Sequence, residues 1–443
     1  MKNSKMRYVY VVFILMFLLL QLSYAGNVSG GSGSAVNPFN NGSSVRNEVV
    51  IISDLHMGAD LSYSELNANL PALEKLLNTI RVSPNVKELV IGGDLVDEWF
   101  VPANVDTYQG KGQSDFIKRL SVANQGVITA FNNIIKDGKI KVVYVPGNHD
   151  LAITAESINL LLPGIIQVRD PQLGLGTYSP SYLTELAIEH GHRYNFFCAP
   201  DMISNQDIAP GTILPPGYFF TRIATLHVVE NSVKNSSPIP VITLSSTSDQ
   251  SQQLLYTYWG LWKWTLTAMP INENFNDKII VTNVNGFNGN YSVNDLFPYQ
   301  TSPTSEIQVK LFNNCQNTWG QRQINNLVAV PIPTEHAIAN AASADELDNT
   351  AFTQYLLNPN SNKRIVVFGH NHRATLIPST NSRGQKTIYA NSGTWIDKNP
   401  GASTENFVII TLSDTANSTN TKVAVYNYNN EVYTQMAQDS LDL

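Results

Sequence analysis

The chain has 443 residues, a formal net charge of -7 and a hydrophobic fraction of 43%. This length allows one large α/β domain or two ordinary domains, and the apolar content is enough for a sizeable core. The chain has 28 Lys and Arg residues and no basic cluster beyond the extreme N-terminus, which argues against nucleic-acid binding. Metal ions would therefore have to hold a small anionic substrate.

The first 25 residues have the pattern of a secretory signal peptide. Basic residues precede an apolar run over 8–20, and the small residues Ser23 and Ala25 fit a cleavage site. An uncleaved anchor helix is the alternative, although the run is short for a bilayer span. In either case we expect the bulk of the chain in the periplasm or the extracellular space. If the signal peptide is removed, we expect no membrane span.

Composition also predicts where the folded domain begins. Residues 26–47 are rich in Gly, Ser and Asn, which predicts a flexible linker, and the domain is expected to start near Glu48. Short β-branched runs then alternate with helical patterns, which favours βαβ units around a largely parallel sheet. The runs cover 48–53, 87–93 and 139–147, with helices within 62–80 and 114–136.

Further β-like runs predict a second sheet downstream. The last three are joined by short polar connections, which are typical of antiparallel neighbours. The runs cover 182–190, 364–370, 386–393, 406–413 and 422–429. Two packed sheets with outer helices are therefore the expected α/β architecture.

Residues 201–361 form an insertion, or cap, between the predicted catalytic segments 48–200 and 362–443. Its helical patterns lie near 217–235, 248–269, 305–328 and 334–357. The second pattern is rich in aromatic residues, and its apolar residues share helix faces. Packing of the cap on the catalytic domain is the favoured interpretation, and an apolar subsite for an acyl or aryl group is the alternative. The aromatic residues are Tyr256, Tyr258, Trp259, Trp262 and Trp264.

The only two cysteines of the chain are Cys198 and Cys315. In an exported protein they would meet an oxidising environment, in which a disulfide can persist. Sequence cannot place two Cβ atoms close together, so a disulfide and two buried thiols are both open.

Six of the eight histidines lie in short polar motifs at the ends of the β-like runs. Carboxylate, amide and imidazole groups that converge from rigid supports are what a binuclear metal site needs. The motifs are Asp54-Leu55-His56, Gly93-Asp94, Gly147-Asn148-His149-Asp150, His190-Gly191-His192 and Gly369-His370-Asn371-His372.

Spacing indicates how these side chains could share a cation. Residues two apart in an extended segment point the same way, so Asp54 can pair with His56, and His370 with His372. Asp94 follows two glycines that allow close backbone approach, and its two oxygens can bridge two metals. Each motif alone is also typical of an ordinary turn, but all five in order are specific.

The remaining motif residues suggest chemistry around the metals. Asn148 offers an amide oxygen as a ligand, and His149 is predicted to protonate the leaving group or to stabilise developing charge. Asp150 is predicted to orient that imidazole. His190 completes the ligand set, whereas His192 is expected behind a ligand or in contact with substrate.

The resulting prediction is a hydrolase with two divalent ions, either Mn, Zn or Fe. Two ions about 3.5–4 Å apart can clamp a phosphoryl group and lower the pKa of a bridging water from about 15.7 toward about 7. We therefore expect hydrolysis of a small phosphomonoester or phosphodiester, with or without an apolar moiety, by a metal-bridging hydroxide. Alternatives are cleavage of a pyrophosphate bond in a nucleotide-sugar or lipid-linked substrate, and a non-catalytic surface binding protein with a structural metal site. The predicted ligands are Asp54, His56, Asp94, Asn148, His190, His370 and His372.

The five motifs resemble those of the calcineurin-like metallophosphoesterases, over roughly residues 48–200 and 362–429. The resemblance implies a four-layer α/β/β/α sandwich of two packed mixed sheets, here with a large, mainly helical insertion. It also implies two ligand sets that share Asp94. One set adds Asp54, His56 and His372, and the other adds Asn148, His190 and His370.

The motifs resemble no single subfamily throughout. Purple acid phosphatases carry Tyr where Asp97 stands, so their ferric-tyrosinate centre is not implied. The segments 52–58 and 93–99 are similar to those of UDP-diacylglucosamine hydrolases, which have Arg at the position of His149 and lack an insertion this large. Asp97 and Glu98 are expected to be loop or helix-capping residues. The alternative is an outer role, in which they contact the metal ligands but not the metals themselves.

Overall fold

The computed structural model describes residues 37–170, 173–413 and 420–443. The predicted signal peptide and residues 26–36 of the predicted linker lie outside these ranges. Across the described ranges, no helix combines the length and apolar character that a bilayer span requires.

The linker prediction is wrong for residues 37–47. The Phe39 ring is fully buried, with its centroid 5.5 Å from that of Phe407 and 5.7 Å from that of Tyr433. Ser83 Oγ donates a hydrogen bond to the Phe39 carbonyl. The average composition of the segment is polar, although it includes the aromatic residue Phe39. Burial of this one ring is enough to pack the segment on the domain.

Thirteen strands and ten α-helices are present in the described residues. The strands are β1 (Glu48–Ile52), β2 (Val86–Gly92), β3 (Lys141–Val145), β4 (Ile166–Gln167), β5 (Leu186–Ile188), β6 (Ile280–Thr282), β7 (Gly289–Tyr291), β8 (Ile365–Phe368), β9 (Thr375–Thr380), β10 (Lys386–Asn391), β11 (Asn406–Thr411), β12 (Thr421–Asn429) and β13 (Val432–Leu441). The helices are α1 (Leu70–Val82), α2 (Gln113–Ala123), α3 (Gln125–Asp137), α4 (Ala155–Leu161), α5 (Pro216–Glu230), α6 (Gln250–Ala268), α7 (Val293–Leu296), α8 (Cys315–Asn325), α9 (Thr334–Ala339) and α10 (Ala344–Ala351).

Two mixed sheets pack face to face. The first has the order β13-β12-β11-β1-β2-β3-β4, with β1 to β4 parallel, and the second has the order β5-β8-β10-β9. Ile51 and Val143 of the first sheet share an apolar core with Ile188 and Val367 of the second. Helices α1 and α3 cover the outer face of the first sheet, and α10 covers that of the second. The predicted α/β/β/α sandwich is therefore confirmed.

Two strands were assigned to the wrong sheet. The runs 406–413 and 422–429 were predicted in the second sheet, but β11 and β12 extend the first sheet from the edge of β1. Strand β11 is apolar on both faces, with Val408 between the sheets and Phe407 against the helices, so it fits the interior of a sheet. The chain between β10 and β11 therefore changes sheets, and it passes beside Asp54 as it does so.

The insertion is mainly helical, as predicted, and adds the hairpin β6–β7. Tyr258 and Trp262 of α6 are buried, and their rings lie 5.7 and 6.2 Å from that of Phe197. These two residues pack in the core, as the favoured interpretation predicts, whereas Tyr256 and Trp264 are half-buried. Both cysteines are free thiols, with Cys315 buried and Cys198 half-buried.

Glu48, at the start of β1, should make stability depend on pH. Burial raises its pKa to about 7, and the hydrogen bond from Asn41 offsets only part of this shift. Since the pKa in the unfolded chain is lower, the cost of ionising Glu48 in the folded state grows from about pH 4.5 to pH 7. Glu48→Gln should raise the melting temperature at pH 8 but not at pH 4, as thermal unfolding would measure. An equal shift at both pH values would contradict this cause.

Candidate metal centre

The five motifs meet at one edge of the sandwich. Those containing Asp54, Asp94 and Asn148 follow β1, β2 and β3 of the first sheet, and those containing His190 and His370 follow β5 and β8 of the second. Because parallel strands end at the same edge, residues far apart in sequence become neighbours there.

The loops at this edge hold their side chains in left-handed backbone conformations. The φ angles are 54° at Asp54, 48° at His56, 52° at Asp94, 72° at His370 and 59° at His372. The sequence predicted that Asp54 and His56, and likewise His370 and His372, point the same way because the backbone is extended. This reason is wrong. The pairs converge because tight turns direct the side chains inward, and such strained positions cluster at functional sites.

The first ligand group consists of Asp54, His56 and His372, whose nearest donor atoms lie within 4.8 Å of one another. Asp54 Oδ1 is 3.2 Å from His372 Nε2 and 4.0 Å from His56 Nε2. The two histidine Nε2 atoms are 3.1 Å apart. Three nitrogen and oxygen donors so close together could hold a divalent cation.

The second ligand group consists of Asp94, His190 and His370, also within 4.8 Å of one another. Asp94 Oδ2 is 3.1 Å from His190 Nε2. Asn148 Oδ1 lies 3.1 Å from the same nitrogen, so the amide belongs beside this group. Asp94, His190 and Asn148 are buried.

Asp94 lies between the two groups. Its Oδ2 atom is 3.1 Å from His190 Nε2 in the second group and 3.5 Å from His56 Nε2 in the first. Its Oδ1 atom accepts a hydrogen bond from the backbone N–H of His149 at 2.8 Å, which fixes the carboxylate. One oxygen of Asp94 can therefore serve both groups.

Hydrogen bonds on the far side of two rings prepare them for metal binding. His190 Nδ1 lies 3.0 Å from the carbonyl oxygen of Gly92, which can only accept a hydrogen bond. His56 Nδ1 lies 2.9 Å from Asp97 Oδ2, which as a carboxylate also accepts. Donation from Nδ1 in both rings leaves the Nε2 lone pairs facing Asp94. The donor set therefore fits a pair of divalent cations.

The carboxylates at this edge are held in the charged form. Without a bound metal, His190 carries a second proton, because its pKa is raised to about 9. Burial raises the pKa of Asp54 and Asp94, but this charge of His190, followed by the other neighbouring histidines, lowers it more. The net pKa lies below the ordinary value for Asp54 and well below it for Asp94. A charged carboxylate is the form that binds a cation.

His149 stands at the edge of the metal centre, where Asp97 and Trp99 hold it. Its Nδ1 atom is 2.8 Å from Asp97 Oδ2, and its ring stacks on the indole of Trp99 with centroids 5.0 Å apart. Burial lowers the pKa of His149, but the charge of Asp97 outweighs this, so the net pKa is raised. A proton-bearing imidazole is therefore favoured at this position.

The prediction that Asp150 orients His149 is wrong. Asp150 accepts hydrogen bonds from the backbone N–H groups of Gly147 (2.6 Å) and Leu95 (2.8 Å), and so ties two loops together. The carboxylate beside His149 is Asp97. Its other oxygen accepts from the backbone N–H groups of Trp99 and Phe100, so Asp97 forms a turn and does not cap a helix.

His192 is buried behind the second group, with its ring centroid 5.4 Å from that of His190 and 6.5 Å from that of His370. Neither of its ring nitrogens has a hydrogen-bond partner among the described residues. Its role behind a ligand or at the substrate stays a prediction.

Two residues at the site, Trp99 and Glu65, were not predicted there, and an outer role for Asp97 was only the alternative prediction. Asp97 links two histidines, Trp99 stacks on one of them, and Glu65 Oε2 lies 3.4 Å from His56 Nδ1. A signal existed for Asp97, which follows Asp94 by three residues in the same loop. No spacing rule connects Glu65 to His56, because a loop of irregular structure brings them together.

The fold and the donor set together define a metal-dependent hydrolase centre. A family model for calcineurin-like phosphoesterases matches residues 48–374, and the chain belongs to this family of metal-dependent phosphoester hydrolases. The match includes the whole insertion and all five motifs.

Other comparisons add little. No curated protein matches the chain. Among solved structures, an NAD nucleotidase from Haemophilus influenzae is similar with 11% identity and a TM-score of 0.29, covering 90% of this chain and 56% of that protein. The chain thus spans little more than half the length of that relative.

Proposed function

We propose that this protein is an exported phosphoesterase that uses two divalent ions, Mn, Zn or Fe, to hydrolyse a small phosphomonoester or phosphodiester. Asp54, His56 and His372 would hold one ion, and Asn148, His190 and His370 the other, with Asp94 shared. When bound, the ions supply Lewis-acid activation of the attacking water and charge stabilisation at the phosphoryl group.

The position of Asp94 carries this proposal. Its Oδ2 atom lies within 3.5 Å of ring nitrogens from both ligand groups. A carboxylate between two separate nitrogen sets, each with its own further ligands, supports a binuclear rather than a mononuclear site. Binuclear sites of this type stabilise both the attacking and the leaving oxygen in a displacement at phosphorus.

His149 would act on the leaving group. It lies beside the ligand groups, with its ring centroid 4.4 Å from that of His56, and it is not a member of either group. It belongs instead to an outer group with His56, Glu65 and Asp97, whose nearest donor atoms also lie within 4.8 Å of one another. Asp97 favours the protonated ring, which can donate to a leaving oxygen. The proposal therefore separates metal binding from proton transfer.

Metal removal tests the activity. After exhaustive chelation the protein should lose hydrolysis of an aryl phosphate or an aryl diester, and Mn²⁺ or Zn²⁺ should restore it with two ions bound per chain. A panel that includes pyrophosphate-linked substrates would separate esterase from pyrophosphatase activity. Two tightly bound ions without turnover of any substrate would favour a binding protein instead.

Export is a separate part of the proposal, supported by the basic, apolar and small-residue pattern of residues 1–25. Cleavage after Ala25 should leave a mature chain that begins at Gly26. Sequencing the N-terminus of protein recovered from the periplasm or the medium would test this. An intact N-terminus on cytoplasmic protein would contradict export but leave the activity unaffected.

A further inference from the structure

We infer that helix α10 of the insertion positions the metal-binding loop 369–373 through a partly buried hydrogen bond between Asp348 and Asn371. The inference rests on the proposed function and deepens it. The insertion would then do more than pack on the catalytic domain, because one of its helices would set the affinity of the metal centre.

The loop carries one ligand for each group. His370 belongs to the second group and His372 to the first, so a shift of this loop would displace a ligand from both. Asn371 lies between them, and both histidines have left-handed backbone, with φ angles of 72° and 59°. Strained conformations of this kind persist only where the surroundings hold them.

Asn371 is the residue through which α10 reaches the loop. Its Nδ2 atom donates to Asp348 Oδ1 at 2.8 Å and to the carbonyl oxygen of Ala344 at 3.3 Å. Its Oδ1 atom accepts from the backbone N–H of Arg373 at 3.0 Å. The Asn371 side chain thus makes one hydrogen bond within the turn and two to helix α10.

Asp348 is itself firmly held. It is 8% exposed, and its Oδ1 atom also accepts a hydrogen bond of 2.6 Å from the hydroxyl of Tyr389, a fully buried residue of β10. Leu347 and Ala351 anchor the helix in the apolar core on the outer face of the second sheet. A residue fixed to both a helix and a strand can hold a strained loop in place. Mutation of residues that support metal ligands from behind typically lowers metal affinity by about 10–100-fold.

The same loop and helix offer a matched control. Arg373 and Asp345 form an ion pair of 2.6 Å, but their side chains are 44% and 59% exposed. Exposed pairs contribute little to stability because solvent screens them. Only the partly buried Asn371–Asp348 bond should affect the metals.

Titration calorimetry of the chelated protein with Mn²⁺ tests the inference without measuring turnover. Asn371→Asp keeps the size of the side chain but removes the donor to Asp348, so the Kd for both ions should rise about 10–100-fold. Asp345→Asn should leave it within about twofold. Asn371→Asp combined with Asp348→Asn restores a donor and an acceptor with their direction reversed, and should recover most of the affinity.

The outcomes are distinguishable. Wild-type affinity in Asn371→Asp, or an equal loss in Asp345→Asn, would overturn the inference while leaving the proposed function in place. Failure of the wild-type chain to bind two ions would overturn both. If Asn371→Asp does not fold, as judged by circular dichroism, Asn371→Ser carries the same expectation. A lower melting temperature of the metal-free variants with unchanged Mn²⁺ affinity would mean that the bond is merely structural, and would also overturn the inference.

Discussion

Asp94→Asn is expected to abolish binding of one ion, weaken the other and reduce hydrolysis by at least about 10³-fold. The substitution keeps the shape of the side chain and the oxygen that accepts from the His149 N–H, but it removes the charge between His56 and His190. Metal assistance is worth several kcal/mol, and each loss of about 1.4 kcal/mol costs a factor of ten in rate. Elemental analysis together with turnover of an aryl phosphate would measure both effects.

Glu65→Gln is the matched control for this prediction. Glu65 is also a carboxylate beside His56, but its Oε2 atom lies 3.4 Å from Nδ1, the ring nitrogen that faces away from the ligand groups. The Glu65→Gln variant should retain two ions and lose less than about tenfold in rate, because Glu65 affects only the orientation of the His56 ring. Retention of two tightly bound ions by Asp94→Asn would contradict a shared role for Asp94.

Much of the fold could be predicted because periodicity and strand ends are local signals. The parallel half of the first sheet, the second-sheet strands β5, β8 and β10, and the helical insertion all follow from such patterns. The sheet to which β11 belongs could not be predicted. Its sequence pattern fits an antiparallel strand next to β10 in the second sheet as well as one next to β1 in the first. Phe39 was missed because burial depends on what a segment meets in space.

The metal site, like the fold, has parts that could be predicted from the sequence and parts that could not. The seven predicted ligands lie at one edge because their motifs end strands of two packed sheets, and that topology is visible in the sequence. The carboxylate beside His149 was misassigned to Asp150 because adjacency in sequence was taken for adjacency in space. Asp150 accepts from the backbone of its own turn and of the loop after β2, whereas Asp97 reaches His149 from that neighbouring loop. Partners such as Asp348 come from the insertion, for which no motif exists.

His149→Ala is expected to reduce turnover by about 10²–10⁴-fold, the usual range for a lost general acid, while both ions stay bound. The ring lies outside the two ligand groups around Asp54 and Asp94, so its removal leaves their donors intact. Asp97→Asn should reduce turnover less, because His149 would lose its charged partner but keep its stacking on Trp99. Metal content and kcat measured on the same preparations would test this.

The leaving group decides whether His149 acts as an acid or only stabilises charge. An aryl phosphate with an acidic phenol expels its leaving group without a proton, whereas an alkyl phosphate needs one. If His149 donates that proton, His149→Ala should slow the alkyl ester at least about tenfold more than the aryl ester. An equal loss for both would mean that the imidazole stabilises the phosphoryl charge instead. Loss of metal in this variant would instead mean that the ring supports the metal centre, and its separation from the two ligand groups would then be wrong.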